Sequence, residues 1–233
     1  MISVLTTPRR QDYLRDTLQS IDGAGGASLK HKVVFVDGSV TPEVKDNVLP
    51  GWDICPLPSG GPRRSLWRIL NYDARTRIGD HIHFDDDVKL CRNAIFAMLA
   101  IDVPPEAGFL SFFQQNKNMA DTPGFHYLPG RQNWWGTQAI KIPSRSIVKF
   151  RAEQTMPPAG NQGDVWLGSQ LRGCVLLPSL VRHVGLKTTI ATQQGETLSG
   201  ASIHRAGLHY VGDEFDALLH PFCPPTSVRT SCE

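Results

Sequence analysis

Lys32-Val33-Val34-Phe35-Val36-Asp37-Gly38-Ser39 (KVVFVDGS) is an unbroken β-branched and aromatic run that stops at an Asp-Gly-Ser turn. A strand with one face in water would alternate apolar and polar residues. A continuous apolar run reads instead as a strand buried on both faces, as in a parallel sheet. Upstream, Tyr13, Leu14, Thr17, Leu18 and Ile21 recur at helical spacing, and a glycine-rich turn (GAGGAS, 23–28) follows them. Before that helix, Met1 to Thr6 (MISVLT) is a short apolar run ending at Thr7-Pro8-Arg9-Arg10. Strand, helix and strand in this order make a βαβ unit.

The alternation continues downstream. Pro42 to Asn47 reads as a short helix, and Trp52 to Leu57 as a third strand closed by Pro58-Ser59-Gly60-Gly61-Pro62. Arg64 to Thr76 is the next helix, with Leu66, Trp67, Ile69, Leu70 and Tyr72 on its apolar side. It leads into His81 to Phe84, a fourth strand that ends in three consecutive carboxylates, Asp85-Asp86-Asp87. Beyond lie a helix at Asn93 to Ile101, a strand at Gly108 to Gln114, an aromatic-rich loop at Tyr127 to Trp135 and a strand at Thr137 to Ile142. A helix at Ser146 to Arg151, another at Val165 to Leu171 and a short strand at Val175 to Leu177 complete the pattern. The expected architecture is a single Rossmann-like α/β domain with a mostly parallel central sheet flanked by helices. Residues 1–190 would form the domain, and 191–233 a tail or flexible segment packing on it.

Composition sets bounds on function. With 40% hydrophobic and 20% charged residues, the chain reads as a soluble globular protein. Its formal net charge of +2 neither demands nor excludes a polyanionic partner. Two basic groups stand out: Arg63, Arg64, Arg68, Arg75 and Arg77, then Lys141, Arg145, Lys149 and Arg151. They read either as solvated faces or as phosphate contacts. The 5 cysteines are scattered without zinc-ligand spacing, which reads as reduced thiols. With no leader pattern and no apolar run of about 18 residues, a cytoplasmic location without a transmembrane segment is the expectation.

The triplet lies at the carboxyl edge of the sheet, where open α/β folds bind ligands. Along an extended chain, residues two apart project to one side, so Asp85 and Asp87 would face one site while Asp86 faces away or bends back. Two converging hard carboxylates suit Mg²⁺ or Mn²⁺, which complete their shell with water and phosphate oxygens.

Here the sequence resembles the GT-A type glycosyltransferases, which transfer a sugar from a nucleotide diphosphate sugar. Asp85-Asp86-Asp87 looks like their DxD motif, ISVLTTPRRQDYLRDTLQSI like their opening strand and helix, and VVFVDGS like their second strand. The resemblance implies that Asp37 sits by the nucleoside base and the Thr6 to Arg9 loop, with Thr6, Thr7 and Arg9, by base and ribose. It further implies that Asp85 or Asp86 reaches the ribose and that Asp87, with Asp85, holds the metal. Arg64 joins the expected donor-binding set. Asp37 also suits a plain turn-forming role in Asp-Gly-Ser.

A further acid occurs in Gly160-Asn161-Gln162-Gly163-Asp164-Val165-Trp166-Leu167, where a helix begins. Asp is well suited to an N-cap there. By resemblance to the Asp-x-x-Leu helix start of inverting enzymes, Asp164 is the expected general base, taking a proton from the acceptor hydroxyl. Pro178-Ser179-Leu180-Val181-Arg182-His183 is similar to a segment that follows the base in such enzymes, and it makes His183 a candidate metal ligand or diphosphate contact. By the same resemblance, to an aromatic-Gly segment of the family, Trp135 and Gly136 are expected beside the donor sugar, where a ring can stack and the backbone approach closely. His81 and His83 are assigned to packing.

The implied activity is metal-dependent transfer from a UDP-sugar to an acceptor hydroxyl, with inversion. The acceptor stays open among glycan, lipid, peptide and a hydroxylated base in DNA. A nucleotidyltransferase is disfavoured because Thr6-Thr7-Pro8-Arg9-Arg10 has no glycine for a phosphate loop. A non-catalytic sugar-nucleotide or carbohydrate binder is the alternative from another class.

Overall fold

The computed structural model describes residues 1–8, 11–76, 79–113, 122–128, 136–152, 155–160, 162–185, 210–220 and 222–223. Strands β1 (Ile2–Thr6), β2 (Lys32–Asp37), β3 (Asp53–Leu57) and β4 (His81–Asp85) pair in parallel, with β2 and β4 flanking β1 and β3 outside β2. Beyond β4 the sheet is mixed. Strand β8 (Ala139–Ile142) runs antiparallel to both β4 and β6 (Phe109–Ser111), β9 (Gly173–Leu177) is parallel to β6, and β7 (Gly124–Tyr127) closes the edge antiparallel to β9. The order is β3-β2-β1-β4-β8-β6-β9-β7. A separate antiparallel pair joins β5 (Val88–Leu90) to β10 (Val181–His183).

The period-two alternation of the strands divides the core between two helical layers. Ile2, Val4, Val34 and Val36 point to the face covered by α1 (Gln11–Gly23), where Leu14, Leu18 and Ile21 lie, and by α4 (Ala94–Ala100). Val33 and Phe35 point to the other face, against Ile69 of α3 (Gly61–Thr76). Helices α5 (Ser144–Ala152) and α6 (Gly163–Gln170) pack beside α3 through Leu66, Leu70, Ile147, Phe150 and Leu167. The short α2 (Pro42–Asn47) has Pro at its start and Thr41 at its N-cap, whose hydroxyl accepts from the Val44 N–H at 3.4 Å.

The histidines expected to be scaffold form a buried polar seam between β1, β4 and α3. Ser3 Oγ lies 2.7 Å from His81 Nε2 and 2.8 Å from His83 Nδ1, and His81 Nδ1 lies 3.2 Å from Asp73 Oδ2. One member of the second basic group, Lys141, is internal, and Arg145, although exposed, is engaged with backbone carbonyls. Lys141 is buried, donates to the carbonyls of Leu99 and Ile101, and pairs with Asp80 at 3.3 Å. Arg145 donates to the carbonyls of Val103, Pro104 and Ala107. Carbonyls leaving α4 for β6 need donors, and these two side chains supply them.

Because β1, β2 and β4 run in parallel, Thr6, Asp37 and Asp85 finish at one rim. The described part of the tail packs back on the same core: Ala217 and Cys223 are buried with the α1 and α4 residues, and the Val211 N–H donates to the Ser179 carbonyl at 3.1 Å.

Candidate functional site

The acidic triplet is divided by a bend. β4 ends at Asp85, the chain turns at Asp86 and Asp87, and β5 begins at Val88 in the other sheet. Alternation applies only within one continuous strand, so across this bend it no longer sets how Asp85 and Asp87 face each other. The three carboxylates make contacts with Thr137, Thr6 and His183 respectively.

Asp86 turns inward and is buried, accepting a hydrogen bond from Thr6 Oγ1 at 2.6 Å. Thr17, read in the sequence only as part of an apolar helix stripe, holds the bend. Its hydroxyl donates to the Asp86 carbonyl at 2.8 Å and lies 3.1 Å from both the N–H and the carbonyl of Val88. One turn on, Ser20 Oγ accepts from the Leu90 N–H at 2.9 Å. These two α1 hydroxyls serve the edge of β5 that β10 does not pair. A Thr and a Ser three residues apart on a buried helix face were the available signal in the sequence.

Asp87 is buried and meets His183: Oδ2 lies 2.8 Å from Nε2, and the Val184 N–H donates to the Asp87 carbonyl at 2.8 Å. A Cβ added to Gly185 would lie 2.1 Å from Asp87 Oδ2, so the approach depends on glycine there. The Phe113 ring stands edge-on to the imidazole, with centroids 6.4 Å apart.

Asp85 contacts the other wall, where Thr137 Oγ1 donates to its Oδ2 at 3.4 Å. The neighbouring Gly136 N–H donates to Asp164, which also accepts from the Val165 N–H at 2.8 Å. Gly136 and Thr137 thus bridge two carboxylates from distant parts of the chain. Asp164 lies in the first turn of α6 rather than at its cap, which is Gln162. Burial raises the Asp164 carboxyl above its ordinary value, although the N–H groups of Val165, Asp164 and Gly136 act in the opposite direction. Gly163 sets the position of this turn, since a Cβ there would lie 3.2 Å from the Pro62 carbonyl at the start of α3.

Asp37 caps a helix. Its two oxygens accept from the N–H groups of Gly60 and Gly61 at 3.0 Å each, at the N-terminus of α3. The turn-forming reading of Asp-Gly-Ser comes closest to this, with Gly38 at φ 124 just beyond. Arg64 leans across Gly60 and donates from Nε to the Pro157 carbonyl at 3.0 Å, and Arg68 donates to the Pro58 carbonyl. Thr7 lies on the loop after β1, partly buried. Arg9 and Trp135 lie outside the described residues.

Whether a divalent cation fits can be judged from the donor set. Asp87 and His183 present one hard oxygen and one imidazole nitrogen 2.8 Å apart. Two ligands at right angles around Mg²⁺ or Mn²⁺, each at about 2.1 Å, stand about 3.0 Å apart, so the pair matches two adjacent positions. Gly185, having no Cβ, leaves room beside them. Among the described residues, no three His, Cys, Asp or Glu side chains are grouped to hold a metal. A cation held here would take its remaining positions from water and a ligand's oxygens.

No protein-family model matches the chain, and no curated protein matches it. The fold is similar to that of the galactosyltransferase LgtC in complex with donor and acceptor sugar analogues: TM-score 0.51, 12% identity, 91% of this chain and 87% of that one covered. An active-site mutant of LgtC is similar to the same degree, with TM-score 0.50, 12% identity and coverage of 91% and 84%. At this identity the likeness is one of fold.

Proposed function

We propose that this protein is a metal-dependent glycosyltransferase that moves a sugar from a nucleotide diphosphate sugar, a UDP-sugar by preference, to an acceptor hydroxyl with inversion. One observation carries the reading. Asp85 and Asp164, 79 residues apart, are bridged by Gly136 and Thr137 on the rim where the Asp87–His183 pair also lies. The similarity of fold to a galactosyltransferase supports the sugar-transfer part of it.

Asp87 and His183 would hold the cation, Mn²⁺ or Mg²⁺, which when bound neutralises charge on the departing diphosphate. Asp86 and Thr6 fix the bend that aims Asp87, and Asp85 and Thr137 line the wall toward the donor ribose. Gly136 holds the Asp164 carboxylate through its N–H. Asp164 takes the proton from the acceptor hydroxyl, and its raised proton affinity makes it a stronger base than an exposed aspartate. Asp37 acts through α3, by clamping the turn that faces the donor. The acceptor is read as a sugar rather than DNA. LgtC is described with an acceptor sugar analogue, and Arg64, Arg68, Lys141 and Arg145 are engaged with the protein's own carbonyls.

The test is incubation with a panel of UDP-sugars, acceptor sugars and Mn²⁺, following UDP release and the anomeric configuration of the product. Tight nucleotide-sugar binding without turnover on any acceptor would favour the non-catalytic binder. Turnover unchanged in Asp87→Ala would remove the cation assignment.

A further inference from the structure

The pairing of β5 with β10 places Lys89 directly opposite Arg182, two cations facing each other across a ladder of three residue pairs. Like charges in that relation oppose strand pairing. The same three-residue ladder is flanked by Asp87 on one strand and carries His183 on the other, so its register sets the 2.8 Å meeting of these two side chains. What neutralises the facing cations comes from the tail. Asp213 Oδ2 lies 2.7 Å from Lys89 Nζ and 2.9 Å from Arg182 Nη2, while Tyr210 donates its hydroxyl to Oδ1 at 3.0 Å.

The tail backbone is itself anchored there. The Arg92 N–H donates to the Asp213 carbonyl at 3.2 Å, the Ala217 N–H donates to the Arg92 carbonyl at 2.9 Å, and Gly212 supplies the left-handed turn before Asp213 with φ 97. Burial alone would raise the Asp213 carboxyl, but the bonds from Lys89 and Tyr210 and the charge of Arg182 outweigh it and hold it below its ordinary value. An isolated pair at this exposure contributes little. Here, however, removing one carboxylate converts an attractive three-group network into two facing like charges.

We infer that Asp213 is a positioning residue for the Asp87–His183 pair: it bridges the facing cations of the β5–β10 ladder and so holds the two side chains at cation-binding separation. The inference rests on the reading of that pair as a cation site. It adds to that reading a residue from the tail, some thirty positions beyond His183, which touches neither donor nor cation.

The test compares the wild type, Asp213→Asn and the double variant Lys89→Met/Asp213→Asn. Mn²⁺ binding is measured directly by the electron paramagnetic resonance of free Mn²⁺, and protection of the Val184 N–H by hydrogen exchange. Asn keeps the shape and the Tyr210 hydrogen bond, so the fold should persist, which the thermal melt checks. Asp213→Asn should weaken Mn²⁺ binding about 10-fold, within the range seen when an outer partner of a metal ligand is lost, and should lower Val184 protection. The double variant should regain most of both, because one of the facing cations is gone. A merely structural contact would not be restored by a second truncation. Unchanged binding and protection in Asp213→Asn, or a double variant no better than the single one, would overturn the inference. If the wild type binds no Mn²⁺, the cation reading fails, and Val184 protection across the three proteins still decides the claim about Asp213.

Discussion

Asp87 Oδ2 and His183 Nε2 stand 2.8 Å apart although the two residues are 96 positions apart in the chain. Asp87 is buried, so its carboxylate depends on the polar groups it meets there, His183 among them. Asp87→Asn keeps the shape but removes the charge, and is expected to lower kcat/KM by about 10²–10³-fold, the scale of a lost electrostatic stabiliser. His183→Gln should have a smaller effect that excess Mn²⁺ partly offsets. Steady-state kinetics against Mn²⁺ concentration check both.

Gly185→Ala is the smallest change that should disturb the same pair. A Cβ at that position would lie 2.1 Å from Asp87 Oδ2, so the carboxylate or the strand end must move. The expected cost is about 1–3 kcal/mol of stability, as for other overpacked sites. Stabilisation of the protein by added Mn²⁺ should shrink with it. Thermal melts with and without Mn²⁺ measure both effects, and equal stabilisation of wild type and variant would contradict the placement.

Asp164 links activity and stability with opposite signs. Its folded carboxyl is raised by burial, so ionising it is harder in the folded than in the unfolded chain. Stability attached to this group is greatest below the ordinary aspartate value and declines as pH rises through the raised one. If Asp164 is the base of the proposed reaction, activity follows the reverse course, because a base must be ionised, and the acidic limb of kcat should lie above the ordinary aspartate range. Asp164→Asn should therefore reduce kcat by about 10²–10⁴-fold while leaving the melting temperature at neutral pH equal or higher. A pH–rate profile and a melt at pH 7 test the two halves separately.

Asp37→Ala separates a helix clamp from a nucleoside contact. The substitution leaves the N–H groups of Gly60 and Gly61 without their acceptor and should destabilise the protein by about 1 kcal/mol, the usual cost of a lost cap. A fall in melting temperature with donor KM changed only a few-fold is the expected result. A large rise in KM at unchanged stability would instead place Asp37 on the base.

The seam around Ser3 predicts acid sensitivity. Burial, with the charge of His81 adding to it, lowers the His83 value to about 3, so the folded protein keeps this imidazole neutral. The unfolded chain takes up the proton near 6.5, so stability is complete above that value. It should decline by up to about 1.4 kcal/mol per pH unit as pH falls from 6.5 toward 3. His83→Gln should flatten this slope in urea titrations run across that range.

The buried run at Lys32 to Val36, the helical spacing of Leu14, Leu18 and Ile21, and the carboxylates after His81 to Phe84 were legible because each depends on local periodicity. The bend at Asp86 and Asp87 was not, since nothing in three like residues marks where one strand ends and another sheet begins. Thr17 was hidden by its place in an apolar stripe, and Asp37 by the absence of any local clue that its oxygens would meet Gly60 and Gly61. The antiparallel pairings in the far half of the sheet were not legible for a related reason: strand direction at β8 and β7 depends on how connections return, which residue type does not encode.

The sequence by itself determined the βαβ pattern, the rim on which Thr6, Asp37 and the acidic triplet lie, and the presence of Asp164 at a helix start. Burial period and turn chemistry act within a few residues, so they can be read along the chain. Only the tertiary structure decided that Asp87 meets His183, that Asp85 and Asp164 share the Gly136–Thr137 bridge, and that Asp213 neutralises Lys89 and Arg182. Such contacts join residues tens of positions apart, and they are selected by register, close approach at glycine and the pairing of buried charge once the whole chain has packed.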